Sequence, residues 1–299
     1  MSRRSILRGS AAAASILLLA ILPGLGSTAT ASPGAPPPLP FVSQLDLACY
    51  KTDAYTPPAT VVTTKHLNPV LAELPTESTR LGVRDQLCVP VEKNGKTPPA
   101  GIIEFVRWVD LSCYRIDGQA VNFPLKLSHL NPVVQSLGIP DSSVVMAKPE
   151  QLCVPVAKNG KIPPPEVLRV VQHIDLKCYS LGGIALPGEA FPLTLGHLNP
   201  VLANLPKVPV KVTNPRQLCV PVLKKGDEIP ADVLNTVQWI DQEKFDVVTG
   251  PSTGPAAIEL KLTHLNPVLA GLPNELAVIS GPVQLGLPVA KNGKIPPLT

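Results

Sequence analysis

The chain has 299 residues, 44% of them hydrophobic, with 37 prolines and 21 glycines. That much apolar side chain excludes a disordered Pro-rich polymer, and that much proline excludes long helices or uninterrupted central strands, because proline lacks an N–H and fixes φ. The formal charge of +4 rests on Arg3, Arg4 and Arg8; without them the 26 basic residues are only one ahead of the 22 acidic ones, which leaves no electrostatic footprint for nucleic acid or an acidic membrane.

The N-terminus reads as an export signal. A basic segment, Ser2-Arg3-Arg4-Ser5-Ile6-Leu7-Arg8, precedes an apolar run from Ala11 to Leu22 and then Ala29-Thr30-Ala31, a small-residue cleavage pattern. Residues 1–31 are therefore expected to be removed after Ala31. The apolar run is too short to span a bilayer, so no integral membrane segment is expected in the mature chain. The Arg-Arg pair also fits the twin-arginine route, and the sequence leaves that route and the general one open. Residues 32–40 are Pro-rich and read as a linker.

Four repeats follow, with boundaries at 41–100, 101–165, 166–230 and 231–299. His-Leu-Asn-Pro recurs at His66, His129, His197 and His264. Gln-Leu-Cys-Val-Pro-Val starts at Gln86, Gln151 and Gln217, and returns as Gln284-Leu285-Gly286-Leu287-Pro288-Val289. Lys-Asn-Gly-Lys follows at Lys93, Lys158 and Lys291, with the variant Lys224-Lys225-Gly226-Asp227 in the third copy. An apolar residue and an aspartate open each copy, at Asp46, Asp110, Asp175 and Asp241.

Within a copy the pattern is strand-like. Trp108 to Ile116 is rich in β-formers, Pro124 to Ser128 alternates apolar and polar, Val144 to Ala147 and Leu152 to Val156 give two more strands, and Asn159-Gly160 is a hairpin turn signal. The Val-rich stretch from Val167 to Ile174 is read as strand rather than helix. The expected fold is all-β: four tandem small antiparallel β-modules packed as an array, since one module of this size buries a marginal core.

The six cysteines come in pairs, and the fourth copy lacks both members, carrying Lys244 and Gly286 instead. Joint absence favours pairing within a copy, Cys49–Cys88, Cys113–Cys153 and Cys178–Cys219. The competing scheme, Cys88–Cys113 and Cys153–Cys178, strands two thiols in a secreted chain. Close pairs of the C-x-x-C kind are missing, so no zinc site is expected. The fourth copy, without a disulfide and with Phe245 where the others have Tyr50, Tyr114 and Tyr179, is expected to be the weakest.

Candidate sites are few. His66, His129, His197 and His264 read either as a repeated ligand contact or as turn-capping residues beside Asn-Pro. The four aspartates have no recurrent acidic partner, which argues for backbone-bonding rather than acid–base roles. The Lys-Asn-Gly-Lys lysines read as solvated hairpin charge, Trp108 and Trp239 as core, and His173 as a packing substitute for those tryptophans. No catalytic or cofactor-binding residue is expected, and four interchangeable modules argue against an enzyme's single asymmetric cleft.

At Cys49-Tyr50-Lys51, Leu87-Cys88-Val89-Pro90 and Lys-Asn-Gly the copies resemble tandem repeats of secreted bacterial proteins, a domain of unknown function. The resemblance spans roughly residues 41–299 and implies an extracellular β-module with paired cysteines and no assigned activity. The chain departs from that pattern at His-Leu-Asn-Pro and in the cysteine-free fourth copy. The function expected is a secreted, non-catalytic binding or cell-surface module without cofactors, its partner a cell-wall glycan or an extracellular protein. A structural spacer, a secreted protease inhibitor and an extracellular hydrolase are the alternatives.

Overall fold

The computed structural model describes residues 34–182, 190–250 and 257–299. The expected signal, residues 1–31, lies outside the described residues. The first copy supplies helix α1 (Pro38–Val42) and strands β1 (Leu47–Tyr55), β2 (Val61–His66), β3 (Glu77–Arg80) and β4 (Arg84–Lys93). The second supplies α2 (Ile103–Val106), β5 (Leu111–Arg115), β6 (Phe123–His129), α3 (Pro132–Ser136) and β7 (Ser142–Lys158). The third supplies α4 (Pro165–Val171), β8 (Leu176–Gly182), β9 (Phe191–His197) and β10 (Val208–Lys224), and the fourth α5 (Ala231–Val237), β11 (Gln242–Thr249), β12 (Ile258–His264) and β13 (Glu275–Lys291).

The fold is all-β and antiparallel, but the strands form one continuous sheet rather than four separate modules. Each opening strand pairs with the long last strand of its own copy and with that of the copy before. Thus β5 lies between β4 and β7, β8 between β7 and β10, and β11 between β10 and β13. The first strand, β1, pairs with both β4 and β13, which closes the circle. The eight strands β1-β4-β5-β7-β8-β10-β11-β13 are a closed barrel with approximate fourfold repetition. Closure leaves no unpaired edge in that ring, and it gathers four marginal cores into one.

The remaining strands lie outside the ring and tie copies two apart. β6, β9 and β12 pair with the last strand of their own copy and β2 pairs with β3; each of the four also pairs with the end of the last strand two copies away: β2 with β10, β6 with β13, β9 with β4, β12 with β7. The last strands can serve all these partners because β7, β10 and β13 each run for 17 residues. What the sequence suggests as two short strands in the second copy is one long one, bent where the register shifts at Pro149.

Side chains alternate across the barrel wall. Outward-facing Tyr50, Leu87, Val89 and Val91 pack under β9 and β12 residues such as Leu195 and Leu260. Inward-facing Leu47, Cys49, Cys88, Leu111 and Cys113 join a cluster with Phe41, Val106, Val171 and Val237 from the helices. Helices α1, α2, α4 and α5 each precede an opening strand, so they gather at one end and cap it. The stretch read as strand from Val167 to Ile174 is instead helix as far as Val171 and then turn: Pro165 occupies the first turn, where its missing N–H costs nothing, and Val167, Val170 and Val171, with Ile174 just beyond the helix, form one buried stripe. The described part of the stretch read as a linker, residues 34–40, also belongs to this cap. Pro38 is buried in α1, Leu39 N–H donates to Pro297 O at 2.8 Å, and Thr236 donates to Pro36 O at 2.6 Å.

Candidate functional site

Three disulfides join Cys49 to Cys88, Cys113 to Cys153 and Cys178 to Cys219, each across two directly paired strands inside the barrel. They form one layer: Cys88 Sγ lies 3.6 Å from Cys113 Sγ, and Cys153 Sγ lies 3.8 Å from Cys178 Sγ. The fourth position of the layer holds Lys244 opposite Gly286. Lys244 is buried, and its ammonium donates to Gln86 Oε1 at 3.3 Å and Gln151 Oε1 at 3.2 Å. Burial pulls its pKa down to about 8, against the pull of Asp85 and Glu150.

Two residues before the second cysteine position of each copy, on the same inner face and farther from the helices, stand Gln86, Gln151, Gln217 and Gln284. They floor a concave mouth of about 760 Å³ at the end opposite the helical cap. That is within the range of small-molecule sites. The carboxamides are held by carboxylates and by each other. Gln86 donates to Gln284 Oε1 at 2.9 Å, Gln151 to Asp85 at 2.9 Å and Gln217 to Glu150 at 2.7 Å. The rim carries Arg115, which pairs with Asp85 at 2.9 Å, and Arg216, which lies 3.7 Å from Glu150. One acceptor is left over: Gln217 Oε1 is buried and takes no hydrogen bond from the chain.

The residues singled out in the sequence lie elsewhere. His66, His129, His197 and His264 are all buried, beneath the outer strands and away from the mouth. Three of them meet a tyrosine hydroxyl two copies away: His66 Nε2 and Tyr179 at 2.9 Å, His197 and Tyr50 at 2.7 Å, His264 and Tyr114 at 3.3 Å. Burial holds His66 and His197 down to about 4. The fourth, His129, faces Phe245, which has no hydroxyl to offer. Glu243 takes that place at 3.9 Å, accepting from Ser142 Oγ at 3.0 Å. Burial raises Glu243 to about 7 and lowers His129 to about 4, so both groups are uncharged between those pH values.

The asparagine of His-Leu-Asn-Pro does cap a turn: Oδ1 of Asn68, Asn131, Asn199 and Asn266 each accepts the N–H two residues on, at 2.9 Å. Its amide nitrogen also reaches the opening aspartate of the neighbouring copy. Asn131 donates to Asp46 at 2.8 Å, Asn199 to Asp110 at 2.5 Å, Asn266 to Asp175 at 3.0 Å and Asn68 to Asp241 at 2.7 Å.

The aspartates do not bond backbone N–H groups as expected; each meets a lysine. Lys93 contacts Asp46, Lys158 contacts Asp110, Lys224 contacts Asp175 and Lys291 contacts Asp241. These first lysines of the hairpin motif are buried, not solvated, whereas Lys96, Lys161, Lys225 and Lys294 are exposed. For three of them the reason is register: the residues after Lys93, Lys158 and Lys291, which are Asn94, Asn159 and Asn292, sit at positive φ and start the turn, so the lysine itself is the last residue of the strand and keeps to the covered outer face, as Val89 and Val91 do before Lys93.

His173 is more than a packing substitute. Its Nδ1 lies 2.9 Å from buried Asp227, which fills the final lysine position of the third hairpin motif. The signal was present: the third copy changes both residues together. Trp108 and Trp239 pack half-buried against the capped end.

No family model, curated protein or solved structure matches the chain. Among the described residues no helix is long and apolar enough to cross a membrane.

Proposed function

We propose that the protein is exported and acts outside the cell as a non-catalytic binding protein, with the barrel mouth as its ligand site. The N-terminal pattern supports export, and three disulfides are compatible with an extracellular setting. The observation that carries the binding site is the buried, donor-less Gln217 Oε1 in the floor of the mouth. A buried acceptor left unmade is costly, and a hydroxyl or amine from a ligand relieves that cost.

The ligand class follows from the lining. Carboxamides and carboxylates in fixed orientations accept and donate to vicinal hydroxyls, so a saccharide unit of a cell-wall glycan fits the mouth better than an apolar molecule. The inhibitor alternative gains no support, since the disulfides brace barrel strands and not an exposed loop.

The test is sedimentation of the mature chain with purified walls, followed by titration with solubilised glycan fragments monitored by NMR. Resonances of the mouth glutamines should shift. Gln217→Leu should weaken binding by about tenfold, the worth of one hydrogen bond of about 1.4 kcal/mol. Equal binding by native and Gln217→Leu chains would remove the mouth as the site.

A further inference from the structure

Four equivalent arrangements inside the fold have no part in the mouth; the third also holds Asp227, which accepts from Asn266 at 2.9 Å and pairs with His173. Each joins the opening aspartate and the last-strand lysine of one copy with the turn asparagine of a neighbouring copy. In all four, the three residues are at most 3% exposed. The backbone fixes the encounter: Val91, Val156, Val222 and Val289 N–H groups, two residues before the lysine, donate to the carbonyls of Asp46, Asp110, Asp175 and Asp241 at 2.9 to 3.0 Å. Lysine ammonium and aspartate carboxyl are thus pressed together out of water, four times over.

We propose that these four pairs condense into intramolecular amide cross-links, Asp46–Lys93, Asp110–Lys158, Asp175–Lys224 and Asp241–Lys291. Two observations besides contact favour it. First, a buried ion pair bears a large desolvation cost, which covalent neutralisation removes. Burial drives each aspartate up and each lysine down, toward carboxylic acid and free amine, against their mutual attraction. Second, each carboxyl already accepts a hydrogen bond from an asparagine amide that is itself locked by its cap and, in three cases, by a second bond: Asn131 to Ser43 O, Asn199 to Arg107 O and Asn266 to Gln172 O.

The chemistry balances without a cofactor. After proton transfer within the pair, the Nζ lone pair attacks Cγ of the aspartic acid and forms the C–N bond. The carbonyl electrons move onto the oxygen that the asparagine amide holds, so asparagine is the oxyanion donor. A proton passes from Nζ to the departing hydroxyl, the C–O bond breaks, and water leaves. Fixed proximity of this kind is worth effective concentrations of about 10⁵ M or more, and exclusion of water disfavours the reverse step. The fourth copy then has a cross-link of its own where the disulfide is missing.

The experiment is the intact mass of the exported chain in denaturant after full disulfide reduction, its N-terminus fixed by sequencing. The expected mass is below the sequence value by one water for each pair, four in all. Protease digestion should release branched peptides joining the Asp110 and Lys158 segments. An Asp241→Ala chain should lose one water fewer; because the mass is read unfolded, the native chain decides the matter even where this variant folds poorly. A mass equal to the sequence value overturns the proposal. Loss of ammonia in place of water also overturns it, since asparagine would then be the group attacked.

Discussion

Replacing Glu243 by glutamine isolates one buried charge. Glu243 stands beside His129 and Ser142 under the outer strands; the other three histidines each meet a tyrosine hydroxyl, and His264 also meets Glu275 at 3.2 Å. Burial holds its carboxyl at about 7 in the fold, above an ordinary 4.5. In that interval the folded chain keeps a proton that the unfolded chain gives up, so stability falls as pH rises from 4.5 and the loss is complete just above 7. The interval corresponds to about 3 kcal/mol. Glutamine has the same shape, accepts from Ser142 and never ionises. Glu243→Gln should therefore match the native chain near pH 4.5 and exceed it by up to about 3 kcal/mol at pH 8. Guanidinium unfolding at half-unit pH steps, with midpoints and slopes compared, measures this difference. A difference that stays flat between pH 5 and 8, or a variant less stable at pH 8, would refute the reasoning, because either result means Glu243 carries its charge comfortably in the fold.

Lys244→Met should also stabilise the chain at pH 6, since the folded lysine is held at about 8 against an ordinary 10.5. That advantage should vanish by pH 11, where neither state holds the proton, and a pH-independent effect would contradict it. Tyr50→Phe removes the 2.7 Å bond to His197 and should cost about 1 kcal/mol, read as a shift in denaturant midpoint. Asn199→Ala removes both a turn cap and the donor to Asp110 and should cost more, about 3 kcal/mol. If the two variants were equally stable, the asparagine's second bond would have no energetic role.

Much of the local structure was legible. The alternation around Leu125 and Leu127, the Asn-Gly turns and the inward cysteines all follow from period two and turn chemistry. The helices were harder. Around α4 the Val-rich composition argues for strand, and only the spacing of Val167, Val170, Val171 and Ile174 behind three consecutive prolines argues otherwise. The carboxamide floor was visible only as part of a motif whose cysteine drew the attention. Gln86, Gln151, Gln217 and Gln284 recur as faithfully as the histidines, yet nothing in their spacing says that they face a mouth.

What a single chain of repeats does not reveal is which copy supplies a residue's partner. Two ties of different reach operate here. The asparagine joins the aspartate of an adjacent copy, Asn131 with Asp46 and Asn68 with Asp241. The histidine joins the aromatic ring two copies away, His66 with Tyr179 and His129 with Phe245. Only a ring of four satisfies both, because Asn68 in the first copy must reach the last, and His264 in the last must reach Tyr114 in the second. An open array leaves its end copies with unpaired aspartate and histidine in the interior, which is costly. The buried polar residues thus select closure over an extended array, and the same closure brings four glutamines to one mouth. Deleting any one copy should therefore cost more than that copy's own contacts, since every remaining copy loses a polar partner.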